Sequence, residues 1–180
     1  MTTKSIASAQ FLEKALTSTI HFTKTTAATP EQFITGLTDF GPGRAKLFAN
    51  SADSYLKVHY LGSDHADVTE GSAGIWERLH YDWSNHNQVV LTTTDSNVWS
   101  SHSGHIYTFT RKSDGSTDVD LVTVREGKNF RGWALGLLLR TVGRGVLQRA
   151  FEGSVKGIEA RACAIGVPTM QSGERRRQAA

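Results

Sequence analysis

The sequence predicts an α+β fold in which an antiparallel sheet is closed by one long C-terminal helix. Two observations lead there. From residue 54 to 127 the chain reads as short β-rich runs separated by Gly/Ser/Asp/Asn turns, and residues 129–162 are helical in composition. The connections within the β region are too short for parallel crossovers, which need a dozen or more residues, so neighbouring strands must run antiparallel.

The elements follow in order. A loose apolar pattern at Ile6, Phe11, Leu12 and Leu16 predicts a short leading helix over 5–16, within a leader spanning 1–18. STIHFTKTT is a first strand, with Ile20 and Phe22 alternating against Thr19, His21 and Thr23. Two short helices follow it. In ATPEQFITGL, Thr29 caps, Pro30 takes the first helical position and Gln32 completes a Thr-x-x-Gln capping box, while Phe33, Ile34 and Leu37 supply the packed face. After the break at Gly41-Pro42-Gly43 a second helix is expected through Ala45, Leu47 and Phe48. SYLKVHYL, HADVTEGS, GIWERLHYDW, NQVVLTTT, SGHIYTFTRK and TDVDLVTVRE then form a six-stranded meander, or seven strands with the first.

The closing helix has two unlike halves. Leu147, Phe151, Val155, Ile158 and Ala162 recur at helical spacing, with Arg149, Glu152, Lys156, Glu159 and Arg161 off that line. Trp133, Leu135, Leu137, Leu138, Leu139 and Val142 instead run round most of the first half, and Gly143 and Gly145 offer a bend between the halves. The domain closes near 162, so 19–162 is the folded unit and 163–180 a flexible basic tail.

Composition narrows the function. The chain of 180 residues, 38% hydrophobic with four Trp and eight Phe, suits one core. Its net charge of +3 is matched by Arg175, Arg176 and Arg177 alone, leaving the body near neutral and without the basic stripe that nucleic-acid binding wants. One cysteine, Cys163, permits no intrachain disulfide, and neither a secretory signal nor a membrane span is evident, so a cytoplasmic protein is expected. His102 and His105 form H-x-x-H, but an offset of three on a strand puts them on opposite faces, so no metal site is expected. Nucleophile-elbow, dinucleotide-binding and P-loop patterns are absent, and no cofactor is expected.

One strand carries a charge on an otherwise apolar face: Ile75, Glu77, Leu79, Tyr81 and Trp83 point one way. Val119, Leu121, Thr123 and Arg125 form a similar face ending in a charge, and His105, Tyr107 and Phe109 one beginning with an imidazole. Alternation alone leaves two readings open. Either Glu77 is inside and answered by Arg125 or His105, or an edge or bulge carries Glu77, and likewise Arg125, to the surface.

In its order of elements the chain resembles the START-like (SRPBCC) superfamily, within it the polyketide cyclase/dehydrase-type group. The resemblance is carried by ATPEQFITGLTDF, GIWERLHYDWSNHNQVVLTTT and GVLQRAFEGSVKGIEARA, and covers residues 19–162. It implies a helix-grip fold, a curved sheet around the long helix, with a cavity between them for a lipid, polyketide or similar lipophilic molecule. Ile75, Glu77, Leu79, Tyr81, Trp83, His105, Tyr107, Phe109 and Arg125 would then be ligand-binding; the apolar first half of the closing helix reads as core, as a dimer surface, or as a gate over the cavity mouth with Trp133 in the lid and Gly143 and Gly145 as its joint. A carrier or sensor is the first expectation. A cyclase or dehydratase using Glu77 or His105 as general base, with Arg125 or Tyr107 polarising a carbonyl, is the second, and a protein-interaction module the third.

Overall fold

A computed structural model describes residues 17–48, 51–141 and 143–166. The leading helix expected over 5–16 and most of the expected tail lie outside the described residues. Seven strands form one antiparallel sheet: β1 (Thr17–Thr26), β2 (Lys57–Leu61), β3 (His65–Ser72), β4 (Ile75–Asp82), β5 (Gln88–Ser96), β6 (Gly104–Arg111) and β7 (Thr117–Glu126). Their order is β1-β7-β6-β5-β4-β3-β2, a meander with the first strand returned beside the last. The helices are α1 (Pro30–Leu37), α2 (Phe130–Thr141) and α3 (Arg144–Gly166). None of the described helices is long and apolar enough to cross a membrane.

Local chemistry explains the boundaries. The Thr29 hydroxyl accepts from the Gln32 N–H while the Gln32 side chain accepts from the Thr29 N–H, which is the expected capping box, and Pro30 opens α1. The second short helix is only a 3-10 turn, Arg44–Lys46. Its shortness has a cause: the Arg44 guanidinium turns back to donate to the carbonyls of Leu37 and Asp39, at 2.9 and 2.8 Å, holding the loop against the end of α1. The first meander strand also starts late, at Lys57, because residues 52–56 form turns closed by Tyr55 and Leu56 N–H groups on the Ala52 carbonyl.

The core lies between the concave face of the sheet and α3. Phe22 of β1 stacks on Phe151 of α3 at 5.9 Å, and Phe33 of α1 meets Phe109 of β6 at 5.3 Å. Gly36 lets α1 approach α3 closely, since a Cβ there would sit 2.8 Å from Ile158 Cγ1. The Ser154 hydroxyl donates to the Leu47 carbonyl at 2.6 Å, pinning the middle of α3 to the loop beyond α1. α3 runs four residues past the expected boundary at 162. The helix breaks between Thr141 and Arg144, at one of the two expected glycines, Gly143, while Gly145 lies within α3. On the far edge β2 pairs only with β3, its five residues are exposed, and a register shift interrupts the pairing between Val58 and Tyr60.

The capping box stabilises α1 in a measurable way. Thr29→Ala is expected to lower the unfolding free energy in urea by about 1 kcal/mol, while Thr29→Ser retains it.

Candidate functional site

Between the sheet and the two C-terminal helices lies a cavity of about 320 Å³. Phe22, Leu79, Leu121 and Phe151 form much of its wall, and Leu139 and Leu147, on either side of the helix break, close it on the helix side. Six residues that sequence reasoning selected line it: Ile75, Glu77, Leu79, His105, Tyr107 and Arg125. The alternating faces of β4, β6 and β7 that contain them are therefore the concave ones. The surface reading of Glu77 and Arg125 is overturned, for both are only 7% exposed. A bulge does occur beside Glu77, as that reading required, but it inserts the extra residue into β5, where Thr94 has no partner between Arg78/Asp95 and Leu79/Thr93. Glu77 keeps its inward direction.

Glu77 and Arg125 form a two-pronged ion pair. Arg125 donates from Nη1 to Oε1 at 2.5 Å and from Nη2 to Oε2 at 3.0 Å, and the Thr93 hydroxyl adds a third bond to Oε1 at 3.2 Å. The guanidinium also lies over the Trp99 ring, 5.2 Å from its centroid. Its Nη2 donates to Nε2 of His105 at 2.7 Å. Because arginine has no acceptor, Nε2 must carry the lone pair, so His105 is neutral with its proton on Nδ1, donated to the Thr123 hydroxyl at 2.9 Å. Burial, reinforced by the Arg125 charge, holds the imidazole well below its ordinary pKa.

A second buried pair, which sequence reasoning missed, sits beside the first. Glu70 of β3 lines the cavity and lies directly across from Glu77 in the β3/β4 register. Two carboxylates so placed repel unless each has its own cation. Arg44 answers Glu70 through Nε, and the hydroxyls of Tyr81 and Ser51 donate to the same carboxylate at 2.7 and 3.1 Å. The guanidinium is enclosed by the rings of Phe40 and Phe48, 4.6 and 4.7 Å from their centroids. Glu70 does carry a sequence signal, since it shares its strand face with Ala66 and Val68. Arg44 carries none, because it enters from an irregular loop.

Four selected residues do not line the cavity. Tyr81 is spent on the second pair, donating to Glu70 and accepting from Arg44 Nη2 at 3.1 Å; burial, then the Glu70 charge, pushes its pKa well up. Phe109 is core under α1. Trp83, just beyond β4, donates its indole N–H to the Ser63 carbonyl at 2.8 Å. Trp133 is on the outer side of α2, against Phe130 at 5.8 Å, so the side chains that face the cavity near the break are Leu139 and Leu147 rather than this expected lid. Tyr107 stands apart from both networks. Its hydroxyl has no hydrogen-bond partner among the described residues, and burial raises its pKa to about 12, keeping it a neutral donor.

No family model and no curated protein matches the chain by sequence. Solved structures do match by shape. The di-domain ARO/CYC StfQ from the steffimycin biosynthetic pathway superposes with a TM-score of 0.65 at 17% identity, over 91% of this chain and 56% of that one. Zhui aromatase/cyclase from Streptomyces sp. R1128 superposes at 0.60 and 12%, over 81% and 93%. A START superfamily protein from Mycobacterium smegmatis superposes at 0.59 and 13%, over 78% and 98%. At such identities the likeness is one of fold: the chain has the helix-grip architecture of START-like proteins, polyketide aromatase/cyclases among them.

Proposed function

We propose that the protein binds a neutral lipophilic small molecule between sheet and helix, as a carrier or sensor working in the cytoplasm. The observation that carries this reading is the division of labour inside the cavity. Each charged group there is matched by a neighbour, and the Tyr107 hydroxyl is left to meet a ligand. An anionic ligand would face Glu70 and Glu77 with no spare cation. A neutral one, such as a polyketide, lipid or sterol-like molecule with a carbonyl or hydroxyl acceptor, would satisfy Tyr107 and bury its remainder against Phe22, Leu79, Leu121 and Phe151. Ile75, at the cavity edge, adds to that wall.

The similarity to aromatase/cyclases keeps a catalytic reading in view, with Glu77 or His105 as base. The contacts favour binding instead. The Nε2 lone pair of His105 is occupied by Arg125, and Glu77 already accepts three hydrogen bonds, two of them from the cation Arg125, which makes it a poor base toward a substrate proton.

The test of function is native mass spectrometry of the purified protein followed by denaturing extraction. One equivalent of a neutral lipophilic molecule is expected, and an empty protein that also excludes apolar dyes would reject the reading. Tyr107→Phe should weaken binding of that molecule about fivefold, the worth of one neutral hydrogen bond, without changing the fold. Arg125→Ala should cost about 3–5 kcal/mol in urea unfolding, because it strands a buried carboxylate, and the joint replacement Glu77→Leu/Arg125→Met should recover most of the loss. A loss under about 1 kcal/mol would mean that water reaches Glu77. His105, held neutral when folded, should withdraw stability as pH falls below 6.5 toward its depressed folded value, with no effect above. The melting-temperature difference between wild type and His105→Gln, followed from neutral to acid pH, reads this directly; a constant difference would contradict a depressed His105.

A further inference from the structure

The helix α2 is inside out. Its sheet-side stripe is Gly132, Leu135, Gly136 and Leu139, and Gly132 packs so tightly that a Cβ would overlap the Val98 carbonyl oxygen. The opposite stripe should be polar in a water-facing helix, yet it holds Phe130, Trp133, Leu137 and Leu138, exposed by 78, 40, 48 and 52%. Just past the break, Val146 is 63% exposed. On the sheet side two glycines alternate with Leu135 and Leu139, while four large apolar side chains face outward.

The same segment is one-sided in charge. From Gly127 to Phe151 the chain has Lys128, Arg131, Arg140, Arg144 and Arg149 and no acidic residue. Of 20 basic and 17 acidic residues in all, 15 and 17 remain elsewhere, so the rest of the chain is net negative. We propose that the outer face of α2, with the start of α3, docks on an anionic phospholipid surface. Trp133 and Phe130 suit the headgroup level, Leu137, Leu138 and Val146 the acyl boundary, and Arg131, Arg144 and Arg149 the phosphates. A second copy of the chain fits poorly, because a two-fold contact would set these three arginines against their own copies.

The surface is continuous with the cavity. Leu139, on α2, and Leu147, across the break, line the cavity from the helices that carry the patch, so a docked protein would hold its helix-side wall against the bilayer. In purpose this rests on the lipophilic-ligand reading, since it names the membrane as the place where ligand is exchanged. Its geometry does not depend on that reading.

Flotation of the full chain with vesicles of phosphatidylcholine alone, or of phosphatidylcholine mixed with phosphatidylglycerol, tests the proposal. Binding is expected only to the mixed vesicles, with Trp133 fluorescence quenched by brominated acyl chains and the quenching lost in Trp133→Phe. Arg131→Gln and Arg144→Gln should each weaken binding about fivefold. Leu137→Ser/Leu138→Ser should abolish it while leaving the melting temperature unchanged, since those side chains already face water. Equal binding to both vesicles, binding to neither, or undiminished binding by the leucine variant would overturn the proposal, as would a dimer that this variant dissolves. Uptake of an apolar dye is measured separately, without vesicles. A filled cavity without flotation sinks only the docking surface, and flotation without uptake sinks only the ligand reading.

Discussion

The ion pair between Glu77 and Arg125 is the constraint on which the inner surface depends. β4 and β7 are separated by β5 and β6 in the sheet order, so on a flat sheet they would lie about 14 Å apart. Their side chains meet because the sheet is curved and because the residues leaving β5 carry Trp99 back under the guanidinium. The pair is thus a strut across the concave face. Three polar side chains are arranged around it: Thr93 from β5 and His105 from β6 complete the bonding of its two ends, and Thr123 fixes which nitrogen of His105 faces the arginine.

Burying one carboxylate in this way constrains its neighbour. Glu70 and Glu77 are opposite each other on adjacent strands, and a low-dielectric wall cannot hold two uncompensated negative charges. Arg44 and Arg125 therefore arrive from different directions, one from the loop beyond α1 and one from β7. The loop is committed by this duty, for Arg44 also donates to the carbonyls of Leu37, at the end of α1, and of Asp39 beyond it. Helix end, loop and sheet are tied together at one guanidinium.

Much of this was legible because it is local. Period-two alternation grouped Glu77, His105 and Arg125 with apolar neighbours on three strand faces, and the Thr29 capping box marked the start of α1 to the residue. What alternation cannot say is which face is concave or where a strand's useful portion ends. Tyr81 and Phe109 share the predicted faces but lie where another carboxylate and α1 claim them. Arg44 was invisible since its partner is 26 residues away and its own segment has no periodicity. Trp133 was misjudged for a different reason. Apolar residues were assumed to point inward, whereas Gly132, where a Cβ would overlap the Val98 carbonyl oxygen, and Gly136 take inner positions of α2 and Phe130, Trp133, Leu137 and Leu138 are exposed.

An open sheet has ends, and the way this one finishes has a consequence for how the protein behaves among its copies. β2 exposes Val58, Tyr60 and Leu61 with no strand beyond it among the described residues, the composition of a template for runaway association. The irregularity between Val58 and Tyr60 breaks its row of backbone donors and acceptors into two short pieces, and Lys57 and His59 place polar heads among the apolar side chains. A visiting strand could register with one piece or the other but not with both. That interruption shortens the continuous edge the sheet offers to a strand of another copy.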